Sequence, residues 1–265
     1  MCLRDKNAGS PGSAERSPIL RHLLRPWKAT SRIVERRFYD NHEYTVQVPT
    51  GKRVYSPWFE PKGSFAQTFA EVRASGPMIV SSDRCYMLHG LLGWALEGGG
   101  PIAECGVYGG GTAHLLAISM HRSESNAELH LFDTFKGMPG TAVPERDHQS
   151  PGDFHETSLE LVSDRLGAYS SFTRFHPGLM PETFDDVAGI SDWAFVHLDV
   201  DIYPSMAECC RWFWPRMKSG GIIVMDDYGF FTYRYAARAA VDDYFAAESR
   251  RPIALPTGQA IIIKP

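Results

Sequence analysis

The sequence predicts a doubly wound α/β fold on a mostly parallel, seven-stranded sheet with an antiparallel C-terminal strand, and three observations carry that prediction. Five short apolar runs alternate with longer amphipathic stretches from residue 101 onward, the rhythm of βαβ units. A glycine-rich turn joins the first run to a helix-patterned stretch, as at the ligand end of an open α/β sheet. The last residues break the rhythm with two apolar runs around Pro256, Thr257 and Gly258, two strands joined by a tight turn and so antiparallel to each other, which suggests an antiparallel strand at the end of the sheet.

Residues 1–16 are rich in Gly, Ser and charge without an apolar period, the composition of a mobile tail. Residues 17–63 interrupt their apolar positions with Arg, Lys and Pro and read as an N-terminal helical arm, packed on the main domain or on a neighbouring copy in a homo-oligomer. The main domain, 64–265, opens with two helices. Their apolar faces are Phe65, Phe69 and Val72, then Met87, Leu88, Leu91, Leu92 and Leu96, ending at Gly98, Gly99 and Gly100.

The strands follow as Pro101 to Val107, Leu129 to Asp133, Ser171 to His176, Trp193 to Val200 and Gly221 to Met225, then the hairpin Ile253 to Leu255 and Gln259 to Lys264. Leu115, Leu116 and Ile118 mark the helix after the first strand. Residues 137–157, with three prolines, two glycines beyond Gly137 itself counted at 140 and 152, and His148 and His155, are too long for an ordinary connection and read as a lid. Thr157 with Glu160 has the capping-box spacing that starts a helix running to about Leu166.

A net charge of -4 gives no basic face for nucleic acid or an acidic membrane surface. There is no run of about 18 apolar residues and no signal-peptide core at the start, so the chain reads as soluble and cytoplasmic. The five cysteines, Cys2, Cys85, Cys105, Cys209 and Cys210, show no CxxC spacing and read as reduced core residues.

The first strand runs into Glu104, Cys105, Gly106, Val107, Tyr108, Gly109, Gly110, Gly111 and Thr112. With Gly106 and Gly111 as the outer glycines of a GxGxxG motif, Tyr108 stands where the middle glycine would admit a pyrophosphate. That argues against a dinucleotide and suits S-adenosyl-L-methionine, whose ammonium an acidic Glu104 can hold, directly or through water. Backbone amides at the helix start suit its carboxylate. Asp133 ends the second strand 22 positions after Gly111, where a carboxylate can take both ribose hydroxyls.

Asp199 and Asp201 end the fourth strand, and Asp226 and Asp227 end the fifth. No Lys or Arg between Trp193 and Tyr203 neutralises the first pair, and carboxylates gathered in a partly dry crevice raise one another's pKa or bind a cation. Oxygen ligands without Cys or His favour magnesium, with manganese and calcium as alternatives.

The segments AECGVYGGGT, LFDTFKGMP, FVHLDVDIYPS and SGGIIVMDDYG resemble the macrocin O-methyltransferase family, whose members methylate sugar hydroxyls of natural products such as macrolides and aminocoumarins. The resemblance covers about Ser64 to Pro265 and implies the methyltransferase version of the fold. It implies that Asp199, Asp226 and Asp227 hold the metal, that Asp201 beside Asp199 is the candidate catalytic base, and that Glu104, Gly106 and Asp133 contact the cofactor. Val107, Tyr108, Gly109 and Thr112 on the same turn, and Thr134 and Phe135 after Asp133, fall in that site too. Leu179 and Met180 stand where the resemblance leads one to expect two aromatics.

The reading implied is a metal-dependent O-methyltransferase acting on a small polyhydroxylated acceptor, with no nucleic-acid or membrane partner. A catechol-type acceptor stays open, as does a non-catalytic cofactor-binding relative, although clustered uncompensated charge speaks against the latter. A nicotinamide-dependent dehydrogenase is disfavoured by Tyr108 and the paired aspartates. His197, two positions before Asp199, reads as a satisfied strand histidine, with a role as base open, and His148 and His155 read as substrate contacts in the lid.

Overall fold

The computed structural model describes residues 57–60, 63–142 and 145–265. All of these residues belong to a single compact unit. The expected tail, nearly all of the expected arm and Cys2 lie outside the described residues.

Helices α1 (Ser64–Ala74) and α2 (Ser82–Glu97) precede the sheet, as their apolar spacing predicts. The strands are β1 (Ile102–Cys105), β2 (Leu129–Asp133), β3 (Thr173–Pro177), β4 (Trp193–Leu198), β5 (Met217–Met225), β6 (Ile253–Ala254) and β7 (Ala260–Ile263). They lie in the order β3-β2-β1-β4-β5-β7-β6. The first five are parallel, and β7 runs antiparallel to both β5 and β6. Helices α3 (Gly111–Arg122), α4 (Leu159–Arg165), α5 (Tyr203–Phe213) and α6 (Ala237–Phe245) complete the layers.

Central strands buried on both faces explain the near-continuous apolar runs. On one face, Leu88 and Leu92 of α2 and Leu115 and Leu116 of α3 pack with Ile102, Leu131 and Phe195. On the other, Met206, Phe213, Val241 and Phe245 of α5 and α6 pack with Cys105, Val196 and Ile223. Each fully buried side chain of this size contributes on the order of 2 kcal/mol. Cys85, Cys105, Cys209 and Cys210 are buried free thiols, the core role expected of them.

Every strand except β2 departs from its expected bounds at one end or both. Strand β1 stops at Cys105 because Gly106 leaves extended geometry at φ +84. Strand β5 starts at Met217, before the glycine pair. Helix α4 is capped by Ser158, whose side chain accepts from Leu161 N at 3.0 Å, while the Thr157 hydroxyl donates to the Tyr108 carbonyl instead. Among the described residues, no helix is long and apolar enough to cross a membrane.

Candidate active site

The carboxyl ends of β1, β2, β4 and β5 open into one cavity, the position where a parallel sheet binds its ligands. The turn after β1 is set by its neighbour strand. A Cβ on Gly106 would stand 1.8 Å from the Asp199 carbonyl oxygen, so only glycine fits there. Tyr108 follows at φ +47 and Gly110 at φ +74, the latter leading directly into α3. Asp133 anchors this turn: its Oδ2 accepts from Val107 N at 2.6 Å and Tyr108 N at 3.0 Å, and its Oδ1 from Phe135 N at 2.7 Å. A carboxylate has about four acceptor positions, so most of its capacity is spent on the backbone.

A chain of buried charge runs beneath the turn. His197 is fully buried on β4, with Nδ1 2.8 Å from Glu104 Oε1 and Nε2 3.4 Å from Asp226 Oδ1. Burial alone would lower its pKa, but the hydrogen bonds and charges of Asp226 and Glu104 prevail and raise it to about 10. It is therefore an imidazolium shared by two carboxylates, the satisfied role expected of it. Asp226 also accepts from Gln259 Nε2 at 2.7 Å and from Arg84, whose guanidinium lies 3.9 Å from Asp227 as well. Despite burial, His197 and Arg84 hold the Asp226 carboxyl below the usual range.

The remaining carboxylates are compensated only in part, Arg84 being farther from Asp227 than from Asp226. Burial, then the charge of Asp226, raises Asp199 well above the usual range, and burial with Asp199 and Asp201 does the same to Asp227. Burial raises Asp201 too, against hydrogen bonds from Asp227 and Tyr233. Ligand atoms of Asp199, Asp201 and Asp227 lie within 4.8 Å of one another, as do those of His197, Asp199 and Asp226. Asp227 Oδ2 is buried with no partner. Three close oxygen donors with an orphaned carboxylate oxygen suit a hard divalent cation. Glu104 Oε2 is likewise buried without a partner.

The cavity divides the expected residues. Gly106, Val107, Tyr108, Thr112, Asp133 and Thr134 line it, and so do Asp199, Asp201 and Asp227. Glu104 is not in its wall, being fully buried against His197. Neither is Gly109, whose carbonyl accepts from Arg165 at 2.6 Å, nor Phe135, whose ring packs into the core 6.0 Å from Phe175. Asp226 sits behind Asp227, turned to Arg84, Gln259 and His197. Leu179 and Met180 do line the cavity. The lid histidines do not: His148 and His155 are exposed, and the lid meets the cavity through Met138, Pro139, Phe154 and Thr157.

Residues 93–254 match the family model described as macrocin-O-methyltransferase (TylF). The chain belongs to that family. It is 28% identical over 155 residues to the 8-demethyl-8-(2,3-dimethoxy-alpha-L-rhamnosyl)-tetracenomycin-C 4'-O-methyltransferase of Streptomyces olivaceus, a stretch that is 55% of this chain. The matched part spans 58% of that relative's length. Among solved structures, the O-methyltransferase NovP aligns with a TM-score of 0.59 at 21% identity, covering 70% of this chain and 82% of its own. A calicheamicin methyltransferase aligns with 0.56 at 15% identity, over 82% and 99%. The O-methyltransferase of Bacillus cereus in complex with SAH aligns with 0.52 at 16% identity, over 78% and 93%. These likenesses establish the fold as that of the class I O-methyltransferases.

For this macrocin O-methyltransferase family member, sequence reasoning missed four residues that shape the site. Arg84 comes from α2, Gln149 from the lid, Tyr233 from the turn before α6 and Gln259 from the foot of β7. None carries a local motif. The one available signal was electrostatic: an aspartate cluster without a nearby cation asks for one from elsewhere in the chain.

Proposed function

We propose that the protein is an S-adenosyl-L-methionine-dependent, divalent-metal-dependent O-methyltransferase acting on a hydroxyl of a small polyhydroxylated acceptor, a sugar of a glycosylated natural product. The observation that carries this reading is the shared cavity, which joins the Gly106 to Thr112 turn and Asp133 to Asp199, Asp201 and Asp227. The relative named for methylating a rhamnosyl tetracenomycin supports the acceptor class, and the SAH-bound neighbour supports the donor.

Bound here, S-adenosyl-L-methionine supplies the methyl group on its sulfonium, and magnesium, manganese or calcium supplies Lewis acidity toward the acceptor hydroxyl. The amides at the start of α3, where Gly111 and Thr112 line the cavity, would receive the carboxylate of the donor, those of Val107 and Tyr108 being held by Asp133. Thr134 and the spare acceptor capacity of Asp133 serve its ribose, and Glu104 Oε2 serves its ammonium through an intervening water. Asp199 and Asp227 hold the cation, with Asp226 joining them where Arg84 yields. Asp201, at the cavity wall beside them, takes the proton from the acceptor. The lid excludes water, and the walls hold the two reactants in line.

The test is calorimetric titration of S-adenosylhomocysteine into the protein with and without magnesium, beside an equal titration of NAD. Micromolar binding of S-adenosylhomocysteine and none of NAD is the expected result. Failure of S-adenosylhomocysteine to bind under both conditions would overturn the reading.

A further inference from the structure

The lid holds the loop that carries Asp201 at that residue and at Tyr203, two positions after it. Asp201 stands at φ +58, and Ile202 N donates to the Val200 carbonyl to close a tight turn around it. A non-glycine residue stays in this left-handed region only where its surroundings determine it. Two lid side chains do so. Asp147 Oδ1 accepts from Tyr203 N at 2.7 Å, an amide of the first turn of α5 that has no partner within the helix. Gln149 Nε2 donates to the Tyr233 hydroxyl at 2.7 Å and lies 3.3 Å from Asp201 Oδ1. Both side chains are buried although the segment between them and around them reaches solvent. Arg146 adds its guanidinium over the Tyr203 ring, 4.2 Å from the centroid.

Burying a carboxylate and an amide is unfavourable unless each finds a partner: Asp147 finds Tyr203 N, and the Gln149 NH2 group finds Tyr233 and Asp201, while Gln149 Oε1 is buried without a hydrogen-bond partner. A lid that served only to exclude water would close as well with apolar side chains. We propose that Asp147 and Gln149 are positioning residues: docking of the lid fixes the backbone of Asp201 and aims its carboxylate, so that methyl transfer is coupled to lid closure through these two side chains. The proposal rests on the reading of Asp201 as the proton acceptor.

The experiment compares the wild type with Asp147→Ala, Asp147→Asn and Gln149→Ala in steady-state kinetics and in amide hydrogen exchange of residues 199–203. Both alanine variants are expected to lose about tenfold or more in kcat, with S-adenosylhomocysteine affinity retained. Asp147→Asn keeps an oxygen toward Tyr203 N and is expected to restore most of kcat. Exchange across 199–203 is expected to quicken about tenfold in Asp147→Ala and not in Asp147→Asn. Unchanged exchange and unchanged kcat in both alanine variants would overturn the proposal, as would an Asp147→Asn variant no better than Asp147→Ala. If Asp147→Ala does not fold, Gln149→Ala with Asp147→Asn decides the matter. A wild type that transfers no methyl group refutes the proposed function instead, and exchange in 199–203 still reports whether the lid sets the loop.

Discussion

Gly106 and Asp199, each the first residue beyond its strand, are in backbone contact so close that no side chain fits between them: a Cβ on the glycine would lie 1.8 Å from the Asp199 carbonyl oxygen. The contact ties the cofactor-side turn to the carboxylate-bearing end of β4. Gly106→Ala must displace one or the other, and the φ of +84 adds its own strain. A loss of at least about 3 kcal/mol in urea unfolding is expected, with loss of S-adenosylhomocysteine binding. A variant as stable as wild type would show that the two strand ends yield freely.

His197 makes stability depend on alkaline pH. Its folded pKa of about 10 lies above the value of about 6.5 expected in the unfolded chain. The raised value means that its contribution is complete below about 6.5 and is lost as pH rises toward 10. Unfolding measured in chelator should therefore show stability falling across that window. His197→Leu removes the cation between two buried carboxylates and should cost about 3–5 kcal/mol near neutrality, with the alkaline slope gone. An unchanged slope in the variant would assign it to another group.

Much of this fold is legible because its signals are local. The apolar runs gave β2 at its observed bounds, and Gly106 marks where β1 has to turn. The site is less so, because its partners are brought together by topology. Arg84 and Asp226 are 142 positions apart, and Gln149 and Asp201 are 52 apart. The strand positions of Glu104 and Asp226 point correctly to the crevice end, yet which carboxylates reach the cavity depends on Arg84, His197 and Gln259 capturing Asp226. At the lid's exit, Thr157 fits the capping-box spacing, but a hydrogen bond to Tyr108 claims its hydroxyl and leaves the cap to adjacent Ser158.

Arg84→Met separates the role of the built-in cation from that of a metal. Without the guanidinium, Asp226 keeps His197 and Gln259 but gains a net negative surrounding. In chelator the variant should lose about 3 kcal/mol, the cost of breaking one partner out of a buried pair. Manganese, titrated by its paramagnetic resonance signal, should bind more tightly than to wild type, because Asp226 and Asp227 are released from competition. Weaker manganese binding would mean that Arg84 shapes the ligand set and does not compete for it.

Asp133→Asn separates an anchor from a ribose contact. Three backbone amides, those of Val107, Tyr108 and Phe135, converge on the carboxylate oxygens. An asparagine can offer its oxygen to one side only, so its NH2 group must face at least one amide donor, leaving that donor unpaired in a partly buried turn. The protein without cofactor should then lose about 1–3 kcal/mol, measured by thermal unfolding, in addition to any fall in S-adenosylhomocysteine affinity. If Asp133 served the ribose alone, affinity would fall while the cofactor-free protein kept its full stability. Measuring both on the same variant therefore decides whether weak binding reflects a lost hydroxyl contact or a turn that no longer holds its shape.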